Sequence, residues 1–261
     1  MDRHKDFASY VELKKKIFAH QTQKDFLILN QDDPITRDLG KDCPSECILF
    51  STQVELEKGV FLRGNKIIAR LNNRETEVLS LESLSRGMQW QVENILPAIA
   101  TALLFNLPQD GIECALKNFA SLEHRLEWVR NLNGVDFIND SKGTNVGSVC
   151  KSLNTFNRPI ILIVGGKDKD TDFSPLKTLL KEKVKHLVLI GETRKKFKGI
   201  LNGSFGYEES ENLEEAVSLA RAKAEDGDIV LLSPACSSFD MFKDYMDRGT
   251  CFKTIVKNLK G

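Results

Sequence analysis

The stretch VDFINDSKGTN, residues 135–145, decides how the second half of the chain is read. A short run that does not alternate, Val135 to Ile138, gives way at once to Asn139, Asp140, Ser141, Lys142, Gly143, Thr144 and Asn145. Such a run is how a strand buried on both faces reads, and the polar, glycine-bearing segment after it is how the chain turns toward a helix. The pattern recurs at IILIV (160–164) before GGKDKDTDF, at LVLI (187–190) before GETRKK, and at IVLL (229–232) before SPACSSFD. Helical patterns over 147–156, 173–183, 193–201 and 212–226 lie between these runs, and a last amphipathic helix is predicted from about Phe239 to Leu259. Strands interleaved with helices predict an α/β fold, a doubly wound parallel sheet whose ligand lies beyond the carboxyl ends of the strands.

The first half reads differently. Phe7, Tyr10, Val11, Leu13, Ile17 and Phe18 lie close to a helical stripe, so the chain opens straight into helix. FLILN (26–30) is a buried-strand pattern that stops at the turn signals of QDDP. Residues 42–80 break often and alternate, with a polar hairpin turn at Asn72 and Asn73, and predict a small antiparallel region. Helices are predicted over Trp90 to Phe105 and Gly111 to Phe119, and SLEHRLEW (121–128) marks the boundary, dividing the chain into domains 1–120 and 121–261.

The bulk composition narrows the partner. Thirty-seven basic residues balance 37 acidic ones, so no net field draws in nucleic acid or an anionic membrane surface, and a small molecule is expected. No run is long enough to span a bilayer, and MDRHKDFASYVELKKKIF has no apolar core of signal-peptide type, so a cytoplasmic protein is expected. Of six scattered cysteines only Cys43 and Cys47 are close, as CPSEC, without the second ligand pair that zinc needs; reduced thiols are the default.

Three loops carry candidate chemistry. In NDSKGTN, Lys142 supplies a point charge and Thr144 a donor at a helix N-terminus, as an anion site needs; Asp, Ser, Thr and Asn are equally good helix caps. The loop does not match GxxxxGK[ST], nor does any other stretch, which excludes a self-sufficient P-loop ATPase. In GGKDKDTDF, Gly165 and Gly166 permit close backbone approach while Lys167 and Lys169 reach outward, as a site or as a plain glycine turn with surface lysines. In SPACSSFD, Cys236 has no histidine patterned to pair with it, so a buried, inert thiol is expected. Ser237 and Ser238, at the predicted start of the last helix, are better placed to hold a carboxylate.

Taken in order, MDRH (1–4), YVELKKKIF (10–18), LNQDDP (29–34), VENILPAIA (92–100), HRLE (124–127), FINDSKGTN (137–145), GGKDKDTDFSPL (165–176) and LLSPACSSFDMFKDYMDRG (231–249) resemble the Mur ligase family. NDSK-x-TN together with SPAC-x-S-x-D-x-F resembles its D-glutamate-adding branch. The resemblance implies a C-terminal Rossmann-like domain preceded by the later part of a central ATPase domain. It implies ATP and Mg2+ as cofactors, with UDP-N-acetylmuramoyl-L-alanine and D-glutamate as the other small-molecule substrates of a cytoplasmic step in peptidoglycan synthesis. In that reaction ATP phosphorylates a carboxylate and the amine of D-glutamate attacks the acyl phosphate. By similarity, Asn94 lies at the adenine, Arg125 and Asp140 at the ribose, and Lys142 near the phosphates. Thr144, Lys169, Ser238, Phe239 and Tyr245 resemble the D-glutamate pocket, and Lys14 matches a carbamylated lysine that helps to bind magnesium. Lys142 and Lys14 are the residues to which the resemblance gives catalytic roles.

The departures are specific. The domain that binds the uridine nucleotide is missing, as is the stretch of the central domain with the GKT loop and the catalytic glutamate, so this chain alone is expected to be inactive. In the family MDRH follows directly on a metal-binding histidine, which this sequence does not include. Trp90 and Gln91 stand where His-Asn is usual, Asp170 where glycine is usual, and Gly143 and Ser237 where alanine is common; the last three substitutions are expected to be tolerated. Two other readings stay open: a ligase like the folylpolyglutamate synthases, and a non-catalytic module that binds a nucleotide or an amino acid.

Overall fold

In a computed structural model of the protein, residues 5–201 and 205–260 are described; MDRH, with His4, lies outside them. The chain divides between Ala120 and Ser121 into two compact units.

The first unit runs α1 (Phe7–Lys15), β1 (Phe26–Asn30), α2 (Pro34–Leu39), β2 (Glu46–Ser51), β3 (Gly59–Arg63), β4 (Lys66–Leu71), β5 (Arg74–Ser80), α3 (Arg86–Gln89), α4 (Val92–Leu104) and α5 (Gln109–Asn118), with the five strands in sequential order in one sheet. The antiparallel expectation for residues 42–80 holds only from β3 onward, because β1, β2 and β3 run parallel. A short loop suffices between β2 and β3 because only three residue pairs overlap, from Leu49↔Gly59 to Ser51↔Phe61, so residues 52–58 retrace little ground. Asn72 and Asn73 take φ of 50° and 58° at the β4–β5 turn, as a type I′ hairpin requires. QDDP both stops β1 and starts α2: Asp33 accepts from the amides of Ile35 and Thr36, and Pro34 takes the first helical position. One core joins Ile48, Val60, Ile67 and Ala69 of the sheet to Leu96, Ile99 and Ala100 of α4. The stripe read on α1 is not buried: Phe7, Leu13 and Ile17 are exposed, and only Phe18, just beyond the helix, joins Leu27 and Leu29 in a small cluster.

The second unit runs β6 (Glu127–Leu132), β7 (Val135–Asn139), α6 (Val146–Asn154), β8 (Ile160–Gly165), α7 (Leu176–Lys183), β9 (Val184–Ile190), α8 (Arg194–Leu201), β10 (Tyr207–Glu209), α9 (Leu213–Lys223), β11 (Ile229–Leu232) and α10 (Tyr245–Asn258). Its six strands are ordered β10-β9-β8-β11-β7-β6, all parallel except the edge strand β6, which pairs antiparallel with β7. Every residue of β7, β8 and β11 is buried, which accounts for their unalternating sequence. Phe137, Ile161, Ile163, Val188, Val230 and Leu232 face α9 and α10, meeting Leu213, Ala216, Val217, Phe252 and Val256. The alternate residues Ile138, Leu162, Leu187, Leu189 and Leu231 are equally buried toward the opposite face. There α6 packs on α7, whereas α9 packs on α10.

The last helix starts six residues later than its apolar pattern suggests. Asp244 is extended (φ −161°) and its carboxylate accepts from the amides of Met246 and Asp247, so it caps α10 and leaves 233–244 as a loop. Because β8 leads into α7 on one face while β11 leads toward α10 on the other, their exits part at the carboxyl edge and make the crevice of a doubly wound sheet. Among the described residues no helix is long and apolar enough to cross a membrane.

Candidate active site

Eight of the ten candidate residues lie in the second unit, on loops at this carboxyl edge or at the start of α10. The 140–145 loop is stitched in place by its backbone. Asp140 N donates to Leu232 O (2.8 Å), Lys142 N to His124 O (3.0 Å), and Ala235 N to Gly143 O (2.8 Å). Ala235 takes φ 58° to make that bond, an uncommon conformation for a residue with a Cβ. A two-residue bridge between Lys167 and Ser237 ties the β8 and β11 exits together. Asn145, whose side chain accepts from Ser148 N (2.9 Å), is the cap of α6, so Lys142 and Thr144 stand half-buried ahead of it, free of capping duty.

Asp140 is turned inward. It is 6% exposed, and its Oδ2 accepts from the hydroxyls of Ser152 and Ser233, each at 2.7 Å. Burial pushes its pKa up from the ordinary aspartate value, opposed by those two hydroxyls. A Cβ at position 143 would lie 2.6 Å from that same Oδ2 and 2.7 Å from the Ser233 hydroxyl. Gly143 is therefore matched to this carboxylate position. Arg125 is exposed between His124 (φ 65°) and Leu126 (φ 46°), two left-handed residues that hold it out of the chain's path.

Lys142 Nζ lies 3.8 Å from the centre of the Tyr245 ring. Lys169 is exposed, and the next residue, Asp170, takes φ 55°; an aspartate tolerates this left-handed position, where glycine is the unstrained choice. Ser238 is buried (2% exposed), while its neighbour Phe239 is 65% exposed. Cys236 is buried, and its thiol is pushed up to about 11, chiefly by burial, which fits an inert thiol.

Sequence reasoning missed Arg248. It is 1% exposed, and its guanidinium donates to the Ser141 hydroxyl (2.9 Å), the Ser141 carbonyl (2.9 Å) and the Cys236 carbonyl (3.2 Å), so one buried side chain fixes two of the three loops. Burial lowers its pKa to about 10, which still leaves it charged at neutral pH. The signal was its spacing: Arg248, Phe252 and Val256 follow one another at four-residue steps on the buried stripe of α10. Gly166 is needed beside it, since a Cβ there would meet Ser237 O at 2.5 Å and φ is 149°.

The first unit carries the other two candidates. Asn94 is exposed in the first turn of α4 and donates to Gln91 Oε1 (2.8 Å). Lys14 is exposed on α1, its Nζ 5.3 Å from the Tyr10 ring centre. Among the described residues no group of three or more His, Cys, Asp or Glu side chains could hold a metal ion.

Residues 124–236 match the Mur ligase, glutamate ligase domain, and residues 1–102 match the Mur ligase middle domain. The chain belongs to the Mur ligase family. It is 41% identical, over 259 residues, to the UDP-N-acetylmuramoylalanine--D-glutamate ligase of Geotalea uraniireducens (strain Rf4), covering 99% of this chain and 57% of that protein. To the protein of the same name from Clostridioides difficile (strain 630) it is 39% identical over 263 residues, covering 100% of this chain and 58% of that protein. The chain thus spans less than two thirds of the length of the curated relatives it matches. Among solved structures, a pseudomurein peptide ligase type C from Methanothermus fervidus aligns with a TM-score of 0.67 at 18% identity, over 98% of this chain and 60% of that one. The MurF ligase of Thermotoga maritima in complex with ADP gives 0.62 at 16% identity, over 97% and 58%. At these identities the likeness is one of fold.

Proposed function

We propose that the chain serves an ATP-dependent ligase that joins D-glutamate to UDP-N-acetylmuramoyl-L-alanine in cytoplasmic peptidoglycan synthesis. The observation that carries this reading is the similarity of the whole chain, at about 40% identity, to proteins named for that reaction. In the reaction a carboxylate oxygen takes the γ-phosphoryl group of ATP and releases ADP. The amine nitrogen of D-glutamate then bonds the acyl carbon, phosphate leaves, and the nitrogen gives up a proton.

The residues divide the labour. By similarity Asn94 is assigned to the adenine, Arg125 and Asp140 to the ribose, and Lys142 to the phosphates, where a cation offsets charge on the transferring group. Thr144, Lys169, Ser238, Phe239 and Tyr245 orient D-glutamate so that its amine meets the acyl carbon. Lys14, once carbamylated, is assigned to magnesium. The chain has no GxxxxGK[ST] loop to cradle the phosphates, so turnover is not expected of it by itself.

Phosphate release from ATP, magnesium, D-glutamate and UDP-N-acetylmuramoyl-L-alanine tests this. No release above blank is expected from this chain alone, and magnesium-dependent turnover typical of full-length ligases would overturn that expectation. D-glutamate binding by calorimetry, weakened by Lys169→Ala, tests the assignment of the pocket. Binding of L-glutamate and a folate in its place would favour a folylpolyglutamate-synthase-like ligase instead.

A further inference from the structure

Under the proposed function Lys142 must reach a phosphoryl oxygen, yet its amine already has a partner. Nζ sits 3.8 Å from the centre of the Tyr245 ring, within the range of a cation–π contact. That ring is held firmly. Tyr245 is the first residue of α10, directly after the cap Asp244, and its carbonyl accepts from the Ser141 hydroxyl (2.8 Å). The His124 imidazole meets the ring edge-on, with centroids 6.0 Å apart and planes at 81°. His124 is itself 4% exposed and lies against Gly249, where a Cβ would come within 2.2 Å of Nδ1. The same histidine fixes the other end of the lysine, since its carbonyl accepts the Lys142 amide (3.0 Å).

The choice of partner matters. A carboxylate at this place would form a charge-assisted hydrogen bond with the ammonium and compete with any incoming phosphate. An aromatic face attracts the charge but takes up no N–H, so the ammonium keeps its donors for a stronger acceptor.

We propose that Tyr245 is a positioning residue for Lys142: its ring, braced by His124, keeps the amine at the mouth of the crevice and yields it to a phosphoryl-bearing substrate. This rests on the reading of Lys142 as the phosphate-facing group.

Proton–carbon NMR of the full chain tests it, because the face of an aromatic ring shields the lysine ε-methylene and moves its signal upfield. Tyr245→Phe is expected to keep the shifted signal and Tyr245→Leu to abolish it. Acylation of Lys142 by an N-hydroxysuccinimide ester should be faster by about two- to fivefold in Tyr245→Leu, the size of an exposed contact of this kind. Inorganic tripolyphosphate should move the wild-type signal to its position in Tyr245→Leu, while sodium chloride at matched ionic strength should not. A signal unchanged in Tyr245→Leu, or unmoved by tripolyphosphate, overturns the proposal. If Tyr245→Leu fails to fold, the nuclear Overhauser contact between the Lys142 ε-protons and the Tyr245 ring decides the matter, its absence overturning the proposal. Absence of D-glutamate binding in the calorimetry, with a ring-shifted signal that tripolyphosphate still displaces, would overturn the ligase reading and leave the positioning role standing.

Discussion

A glycine decides where Asp140 points. Because a Cβ at position 143 would collide with both Asp140 Oδ2 and the Ser233 hydroxyl, Gly143→Ala must displace the carboxylate or move the loop. A loss of about 1–3 kcal/mol is expected, as for an overpacked interior, measured as a lower urea midpoint at unchanged slope. The same carboxylate has a pH signature. Its folded pKa is raised by burial, so its contribution to stability is greatest at acid pH and is lost as pH rises through the folded value. Asp140→Asn keeps an oxygen for Ser152 and Ser233 without the charge, and its stability relative to wild type should climb from acid to neutral pH in paired denaturation curves. Arg248→Met should be costlier, because the carbonyls of Ser141 and Cys236 lose a buried donor, each at about 1–3 kcal/mol. Of the candidate site, the placement of Lys142, Thr144, Lys169 and Ser238 at the carboxyl edge of the sheet was legible, because polar residues directly after buried strands lie there. Arg248 was not, because an arginine reads as surface until its register with Phe252 and Val256 is counted.

Secondary structure was read best where burial was total. β7, β8 and β11 have no solvent face, so their sequences carry no competing pattern. β6, an edge strand of mixed exposure, and β10, three residues long, escaped notice because neither has a buried run to display. The apolar pattern overextends α10 for a different reason. Met241 and Phe242 both donate to Ser238 O in a turn that imitates helical spacing, whereas the helix begins only where Asp244 caps it. Asp244→Ala should therefore cost about 1 kcal/mol in thermal denaturation. In the first unit, the alternation over residues 42–80 was visible but strand direction was not, since a period of two is common to parallel and antiparallel pairing.

Each unit closes its own interior. The cluster around α9 and α10 uses only residues after 128, and the cluster around α4 only residues before 117. Residues 121–261 expressed alone should therefore fold cooperatively, seen as a single sigmoidal loss of far-ultraviolet ellipticity. That transition should respond to acid through His124 and His186, whose pKa values are lowered from 6.5, in both cases chiefly by burial. Depressed histidines contribute stability that is complete above the unfolded value and lost as pH falls through the folded one, so the midpoint should drop below about pH 6.5. His186→Gln should flatten part of that slope.

The seam between Ala120 and Ser121 also bears on how genes of this kind can be recombined. A crossover placed there would exchange whole interiors between parents, never parts of one. Chimaeras joined at that codon should accumulate in cells at the level of their parents, while junctions set inside α4 or α9 should yield proteolysed products.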